Sequence, residues 1–295
     1  MTTTIPSLST IQIKSLSAST IAAWTTEDVK ALSSAQIGAL SSSQVKALSS
    51  GNIAVLSTSQ ISSIASRSVV GLSLDQIATL SAEKIAGMGS SQIGALTTSQ
   101  LSGFSVEQVE ALTPAQIAKM SSAQIGALSP EDLATFSRED IAAITPSAIR
   151  GLTTSQLAIL TTEQIGAMKP AQISALSSIQ VASLSHEQLG AWNTTQIAAL
   201  TATQVSGLTV GAIEALTPAQ VAAISAKAIS GLTTAHMAAL SSEQAEALTT
   251  TQIAALTARQ MASVSETILA AFSPSDIASI SSSPCPAYRP ARSRT

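Results

Sequence analysis

The chain has 295 residues, with 14 Lys and Arg against 17 Asp and Glu, a formal net charge of −3 and only 11% charged residues. Such a balance carries no polyelectrolyte character, so nucleic acid is not the partner that composition points to. Aromatics make up 2% and there is one cysteine, which excludes an internal disulfide framework and a cysteine-based metal cluster.

Residues 1–7, Met-Thr-Thr-Thr-Ile-Pro-Ser, lack the basic and apolar regions of a cleavable signal peptide and read as a flexible leader. From Leu8 to Ile280 an eight-residue unit recurs without insertion or deletion, and all 35 residues numbered as multiples of eight are apolar. With the Ser or Thr as slot one, residues 113–120 read Thr-Pro-Ala-Gln-Ile-Ala-Lys-Met. A hydroxyl in slot one and Gln in slot four form a capping box, in which each side chain serves the other residue's backbone N–H. Slot one departs from Ser, Thr or Asn at Ala65, Gly89 and Lys169, and slot four is Asp at Asp28, Asp132, Asp140 and Asp276.

Three patterns agree with a helix start in slot two. Pro114, Pro130, Pro146, Pro170, Pro218 and Pro274 all occupy it, the first helical position, where a missing N–H costs nothing. Thirteen of the 17 acidic residues lie in slots three and four, Glu27, Asp75, Glu107 and Glu243 among them, at the positive end of the helix dipole. Gly71, Gly103, Gly151, Gly207 and Gly231 sit in slot seven, where a left-handed exit is expected.

One continuous helix does not fit, because eight residues leave ~80° of drift per unit and the apolar stripe would wind round the rod. A β-solenoid puts slots five and eight on opposite faces of a straight strand and gives the prolines no role. The expected fold is all-α, a solenoid of one- to two-turn capped helices, one per octad. Slots five and eight share a helix face, and only stacked neighbours can bury them. Trp24, Phe104, Phe136, Trp192 and Phe272, all in slot eight, read as core variants of Leu. Slot seven is mostly Ala, small enough for backbones to approach.

The array, 8–280, is expected to be a single solenoid with no internal boundary. The copies at 65–72 and 145–152 are weak, as are those where Ala148, Ala212, Ala228 or His236 replaces Gln. Periodicity stops at Ser281, and 281–295, with three prolines, three arginines and Cys285, read as a disordered tail. No apolar run approaches the ~20 residues that span a bilayer.

Chemistry is sparse. His186 and His236 lie fifty residues apart without a base, nucleophile or ligand set, and each reads as a surface or N-terminal helix residue. The pairs Glu27–Asp28, Glu131–Asp132 and Glu139–Asp140 fit the helix dipole better than a calcium loop, which supplies six to eight oxygens. Lys14, Lys30 and Lys46 in slot six outline a basic stripe at the N-terminal end, and Arg150 shares that slot. No catalytic, cofactor-binding or metal-ligating residue is nominated, no cofactor is expected, and the chain reads as a non-enzyme.

Copies such as Leu152-Thr153-Thr154-Ser155-Gln156-Leu157 and Leu248-Thr249-Thr250-Thr251-Gln252-Ile253 resemble the Leu-Thr-x-x-Gln-Ile-x-Ala-Leu octapeptide repeats of bacterial, especially proteobacterial, proteins. The resemblance covers about residues 8–280. It implies part of a secreted or cell-surface protein with a structural or adhesive role, and no functional residue is carried over with it.

The leading functional expectation is a spacer, scaffold or interaction surface meeting an unidentified protein or surface partner, with self-association allowed by the pattern. Paired hydroxyls such as Thr97–Thr98, Thr153–Thr154, Thr161–Thr162, Thr233–Thr234 and Thr249–Thr250 suggest a second class, an ice or polysaccharide binder using solvent-facing slot-two hydroxyls. Variation in slots two, three and six suggests a third, an effector binding protein or nucleic acid along its groove. On the slot assignments alone, Gln116→Ala should cost about 0.5–2 kcal/mol, as a lost cap does. Ile117→Asp should cost far more through a buried unpaired charge. Equal melting temperatures for the two variants would contradict the assignments.

Overall fold

The computed structural model describes residues 5–282. They form 32 α-helices and three 3-10 helices, with no strand among the described residues. Every α-helix but the last has four to six residues, as in Pro114–Ile117 and Ser122–Gly126, while Pro274–Ser282 has nine. The expected all-α solenoid of short capped helices is therefore what the octads build.

The caps form as the spacing requires. Gln116 N–H donates to Thr113 Oγ1 at 3.4 Å, and Thr113 N–H donates to Gln116 Oε1 at 2.7 Å. The glutamine half survives alone where slot one has no hydroxyl, since Gly89 N–H and Lys169 N–H each donate to a slot-four Oε1 at 2.6 Å. Five of the six slot-two prolines open a helix, whereas Pro146 lies in a turn before the 3-10 helix Ile149–Gly151. The other mid-array 3-10 helix, Ser66–Gly71, follows Ala65, which supplies no cap. Losing the glutamine alone does not convert a copy, because Val210–Glu214 stays α-helical with Thr209 capping Ala212 N–H.

The bend between helices is made differently from the expectation. No described residue, glycine included, has a positive φ, so the left-handed glycine exit is absent. Slots eight and one are instead both extended, as at Leu48 (φ −62°, ψ 143°) and Ser49 (φ −71°, ψ 158°). Two extended residues suffice to swing the chain into the next helix.

The chain divides into two compact units, one ending at Leu152 and one beginning at Thr153. In the first, helices pack on helices three octads away, for example Ser34–Gly38 on Thr58–Ser63 and Ser90–Ala95 on Pro114–Ile117. The slot-four amide reaches further. Gln116 Nε2 donates to the Ile85 carbonyl, 31 residues back, and to the Met88 carbonyl, 28 back, both at 2.8 Å. One coil thus takes between three and four octads. The second unit repeats this, with Ser178–Ala182 on Ala202–Gly207 and Gln252 Nε2 donating to Val221 and Ile224 at 2.9 and 2.6 Å.

Slots five and eight fill the core of each unit. Ile85, Ile117, Ile165 and Ile197 are 0% exposed, and Leu40, Leu128 and Leu200 are 1–3%. Each such side chain contributes roughly 1.5–3 kcal/mol by leaving water, which offsets the poor intrinsic stability of a helix this short. The slot-seven position explains its small residues. A Cβ on Gly71 would overlap the Ser42 carbonyl oxygen, and one on Gly231 would overlap that of Ala202. Glycine is needed there for close approach and not for its conformational range.

At the start of the chain, Ile5–Ser7 form one 3-10 turn, and the Pro6 carbonyl accepts from Gln36 Nε2 at 3.1 Å. Of the tail expected to be disordered, 281–295, Ser281 and Ser282 instead close the helix Pro274–Ser282. The expectations for 283–295, Cys285 included, lie outside the described residues, as do those for 1–4.

The cross-coil bonds revise the cost of losing a glutamine. Gln116→Ala removes a cap acceptor and strands the Met88 carbonyl, while the Ile85 carbonyl keeps the Met88 N–H at 3.1 Å, so the loss should be about 2–4 kcal/mol by urea denaturation and not that of a cap alone. Gly71→Ala should destabilise by about 1–3 kcal/mol through overpacking. Gly190→Ala, whose Cβ meets nothing within 4 Å, should gain about 0.5–1 kcal/mol of helix propensity. Equal shifts in melting temperature for the two glycine variants would refute the close-approach account.

Candidate functional site

Polar side chains of the array fall into an inner and an outer set. The inner set is slot four. Its amide carbonyl takes the slot-one N–H of its own helix, and its amide nitrogen donates to carbonyls of the octad four units earlier. Gln108, Gln204 and Gln260 repeat the Gln116 arrangement, with donor distances of 2.7–2.9 Å. All three are buried. The spacing revealed the capping half of this role. The donor half has no local signature, since its acceptors lie 28 and 31 residues away.

Substituted copies meet the same need with other chemistry. Trp192 is a core residue as expected, and its indole N–H also donates to the Ile165 carbonyl at 3.2 Å. Gln196 then bonds to Gly166 and Met168 at 2.9 and 2.6 Å. His236, expected at the surface or at a helix N-terminus, lies in the first turn of Thr234–Ala238 and is 3% exposed. Its Nδ1 accepts from Thr233 N–H at 3.1 Å, and its Nε2 lies 3.0 Å from the Leu208 carbonyl. Those two partners select the neutral imidazole protonated on Nε2. Burial holds its pKa below the ordinary value, against a smaller opposite effect of the Leu208 bond.

The outer set is slots one, two, three and six. Slot-two hydroxyls divide. Thr98, Thr162, Thr234 and Thr250 are exposed, as expected, and Thr154 is half-buried. Ser42, Ser50 and Thr58 are also half-buried, and Gly71, Thr79 and Gly87 of later octads sit against them. Slot three is the exposed position. Glu83, Glu131, Glu163 and Glu243 occupy it, beside residues as unlike as Arg67, Ala123 and Ile179. Glu243 is held below the usual carboxylate range by its own backbone N–H and then by the Ser241 hydroxyl, which donates to Oε2 at 2.8 Å.

The acidic pairs separate into these two sets. Asp28, Asp132 and Asp140 accept slot-one N–H groups at 2.8–2.9 Å, while Glu27, Glu131 and Glu139 are exposed. The basic stripe does not form. Lys14, Lys30 and Lys46 are exposed, but each is two octads from the next, half a coil or more, so Lys30 faces away from Lys14. His186 is exposed, with its ring over Gly211, and Arg150 is exposed on the 3-10 helix Ile149–Gly151.

One shallow groove of about 320 Å³ in the first unit is lined by Lys46, Val70, Leu74, Thr97, Ser99 and Gln100, among others. Val70 and Leu74 are 45% and 51% exposed. Gln100 is already engaged, with Thr97 N–H on Oε1 and the Val69 and Leu72 carbonyls on Nε2 at 2.8–2.9 Å. The groove therefore offers apolar surface and one amine. Among the described residues no three His, Cys, Asp or Glu side chains are grouped to hold a metal ion, and no helix is long and apolar enough to cross a membrane.

Short capped helices, an amide ladder between coils and a variable outer rim define an octapeptide-repeat α-solenoid. The model of the ALTTAQ repeat matches residues 21–58, 104–138, 133–170, 211–250 and 221–258, together more than half of the chain. The chain belongs to the ALTTAQ repeat family. Ala247 to Gln252 read Ala-Leu-Thr-Thr-Thr-Gln, so the motif spans the bend, the cap and the bridging amide. No curated protein matches the chain.

His236 makes the second unit sensitive to pH. Its folded value is depressed from about 6.5, so the unfolded chain binds the proton more readily and stability rises with pH through the window. Stability should be full above about pH 6.5 and fall as acid is added below it. His236→Gln, which restores the common residue, should flatten the melting temperature between about pH 7 and 5 relative to the parent chain. Identical pH profiles would show that the imidazole is not held neutral.

Proposed function

We propose that this protein is a non-catalytic solenoid that acts as a spacer or scaffold and offers its outer rim, slot three above all, to a protein or surface partner. The observation that carries this reading is the use of the recurring polar side chains. The buried slot-four amides and the slot-one hydroxyls are engaged in caps and cross-coil bonds, such as those of Gln116 and Thr113. Catalysis requires dissimilar groups converging on one point with free valences, whereas this arrangement repeats one polar role around the coil.

The rim supports the interaction part. It is exposed, it varies from copy to copy, and the backbone beneath it is uniform, so residues can change there without touching the core. An extracellular or cell-surface setting is consistent with this use and rests on the resemblance of the repeat alone.

A scaffold built from interchangeable units tolerates loss of whole units. Deleting 73–104, four octads, should leave a folded protein with unchanged helicity per residue by circular dichroism. Deleting 73–76, half an octad, should abolish cooperative melting, because it throws slots five and eight out of phase. Turnover of any substrate class that one rim substitution removes, with folding intact, would overturn the non-catalytic reading.

A further inference from the structure

The amide ladder is interrupted over one stretch of the first unit. Three successive octads lack a slot-four donor: Asp132 and Asp140 are carboxylates, which accept and do not donate, and Ala148 has no polar side-chain atom. Gln108 bonds to the Ile77 and Leu80 carbonyls. In that register the missing donors would serve Leu101 and Phe104, Val109 and Leu112, and Ile117 and Met120. The slot-five carbonyls still accept from slot-eight N–H groups, at 3.0 Å for Phe104 to Leu101, Leu112 to Val109 and Met120 to Ile117. The Phe104, Leu112 and Met120 carbonyls accept no hydrogen bond from the described residues.

The other substituted copies of this unit differ. Asn52 Nδ2 donates to the Trp24 carbonyl at 3.0 Å, Ser68 Oγ to Leu40 at 2.8 Å, and Lys84 Nζ to Ala54 at 2.6 Å. In the second unit Ala212 and Ala228 are isolated losses, followed by Gln220 and His236, which both reach across, and the successive pair Ile268 and Asp276 falls in the last two octads of the array. Three losses in a row span most of one coil. What holds these coils together is packing, of Pro130–Ala134 on Val106–Glu110 and of Arg138–Ala143 on Pro114–Ile117, with Leu133 and Ile141 buried. Apolar burial is non-directional and does not tie one backbone to another.

We propose that residues 132–151 form a built-in opening joint, a coil that separates from the 101–120 coil while the earlier coils of the first unit stay closed. Local opening follows the weakest cooperative unit of a structure, and in a stack each unit answers to its nearest neighbours. The joint gives the scaffold one place to yield under load or to admit a partner between coils, and it rests on the register of the ladder and not on the proposed function.

Native-state hydrogen exchange on the full chain tests it. The amides of Leu133, Ile141 and Ile149, which donate to Ser129, Ser137 and Thr145 carbonyls, are matched controls for those of Ile77, Ile85 and Ile93, which donate to Ser73, Ser81 and Gly89. The first set should exchange about tenfold or more faster than the second, as the loss of one or two bonds predicts. The double variant D132Q/D140Q should slow Leu133 and Ile141 by about tenfold and leave Ile77 to Ile93 unchanged. The reverse variant Q108D/Q116D should speed exchange at Val109 and Ile117. Equal protection of the two sets in the parent chain, or no response at Leu133 and Ile141 to the restored amides, overturns the joint.

Discussion

One side-chain amide joins the two ends of different helices. A helix of five residues leaves nearly all of its N–H and C=O groups without an intrahelical partner. Slot four answers both deficits at once. Gln116 Oε1 takes the Thr113 N–H of its own helix, and its Nε2 supplies the Ile85 and Met88 carbonyls where an earlier helix ends. Because the group is buried and its partners are backbone, the bond is directional where the apolar core is not. The register between coils follows that bond wherever the amide is present.

The exceptions show that the demand is for a donor and an acceptor and not for glutamine as such. His236 meets it with an imidazole, and Trp192 fills one acceptor with its indole and displaces Gln196 to the next carbonyl. Asn52 and Ser68, with shorter reach, keep one bond, to the slot-eight carbonyl. Where neither donor nor substitute is present, as at Asp132, Asp140 and Ala148, the Phe104, Leu112 and Met120 carbonyls go without a bridging donor among the described residues.

Much of the fold was legible before any coordinates. Proline in slot two, acid in slots three and four, and hydroxyl in slot one each report on the first turn of a helix, and contacts within the first turn join residues three apart. The candidate site was less so. The slot of His236 tells that it lies at a helix N-terminus but not that it is buried, because the coil that covers it comes from residues near Leu208. Lys14, Lys30 and Lys46 looked like a stripe because they recur at a fixed interval, but an interval of two octads is half a coil or more. Slot-seven glycine was assigned to a left-handed exit on helix precedent, whereas neighbouring backbone, such as the Ser42 carbonyl at Gly71, is what excludes a side chain there.

What the amino-acid order determined by itself is where each helix begins, which face is apolar, and that eight residues make one unit. Those features depend on interactions within a turn, which spacing records. What only the tertiary structure decided is the number of octads in a coil, and with it which carbonyl each amide meets, which hydroxyls are half-covered, and which charges share a side. The reason is distance along the chain. The acceptors of each bridging amide lie 28 and 31 residues earlier, and every octad presents the same pair of carbonyls, so a uniform repeat does not say which copy is the partner until the chain has coiled.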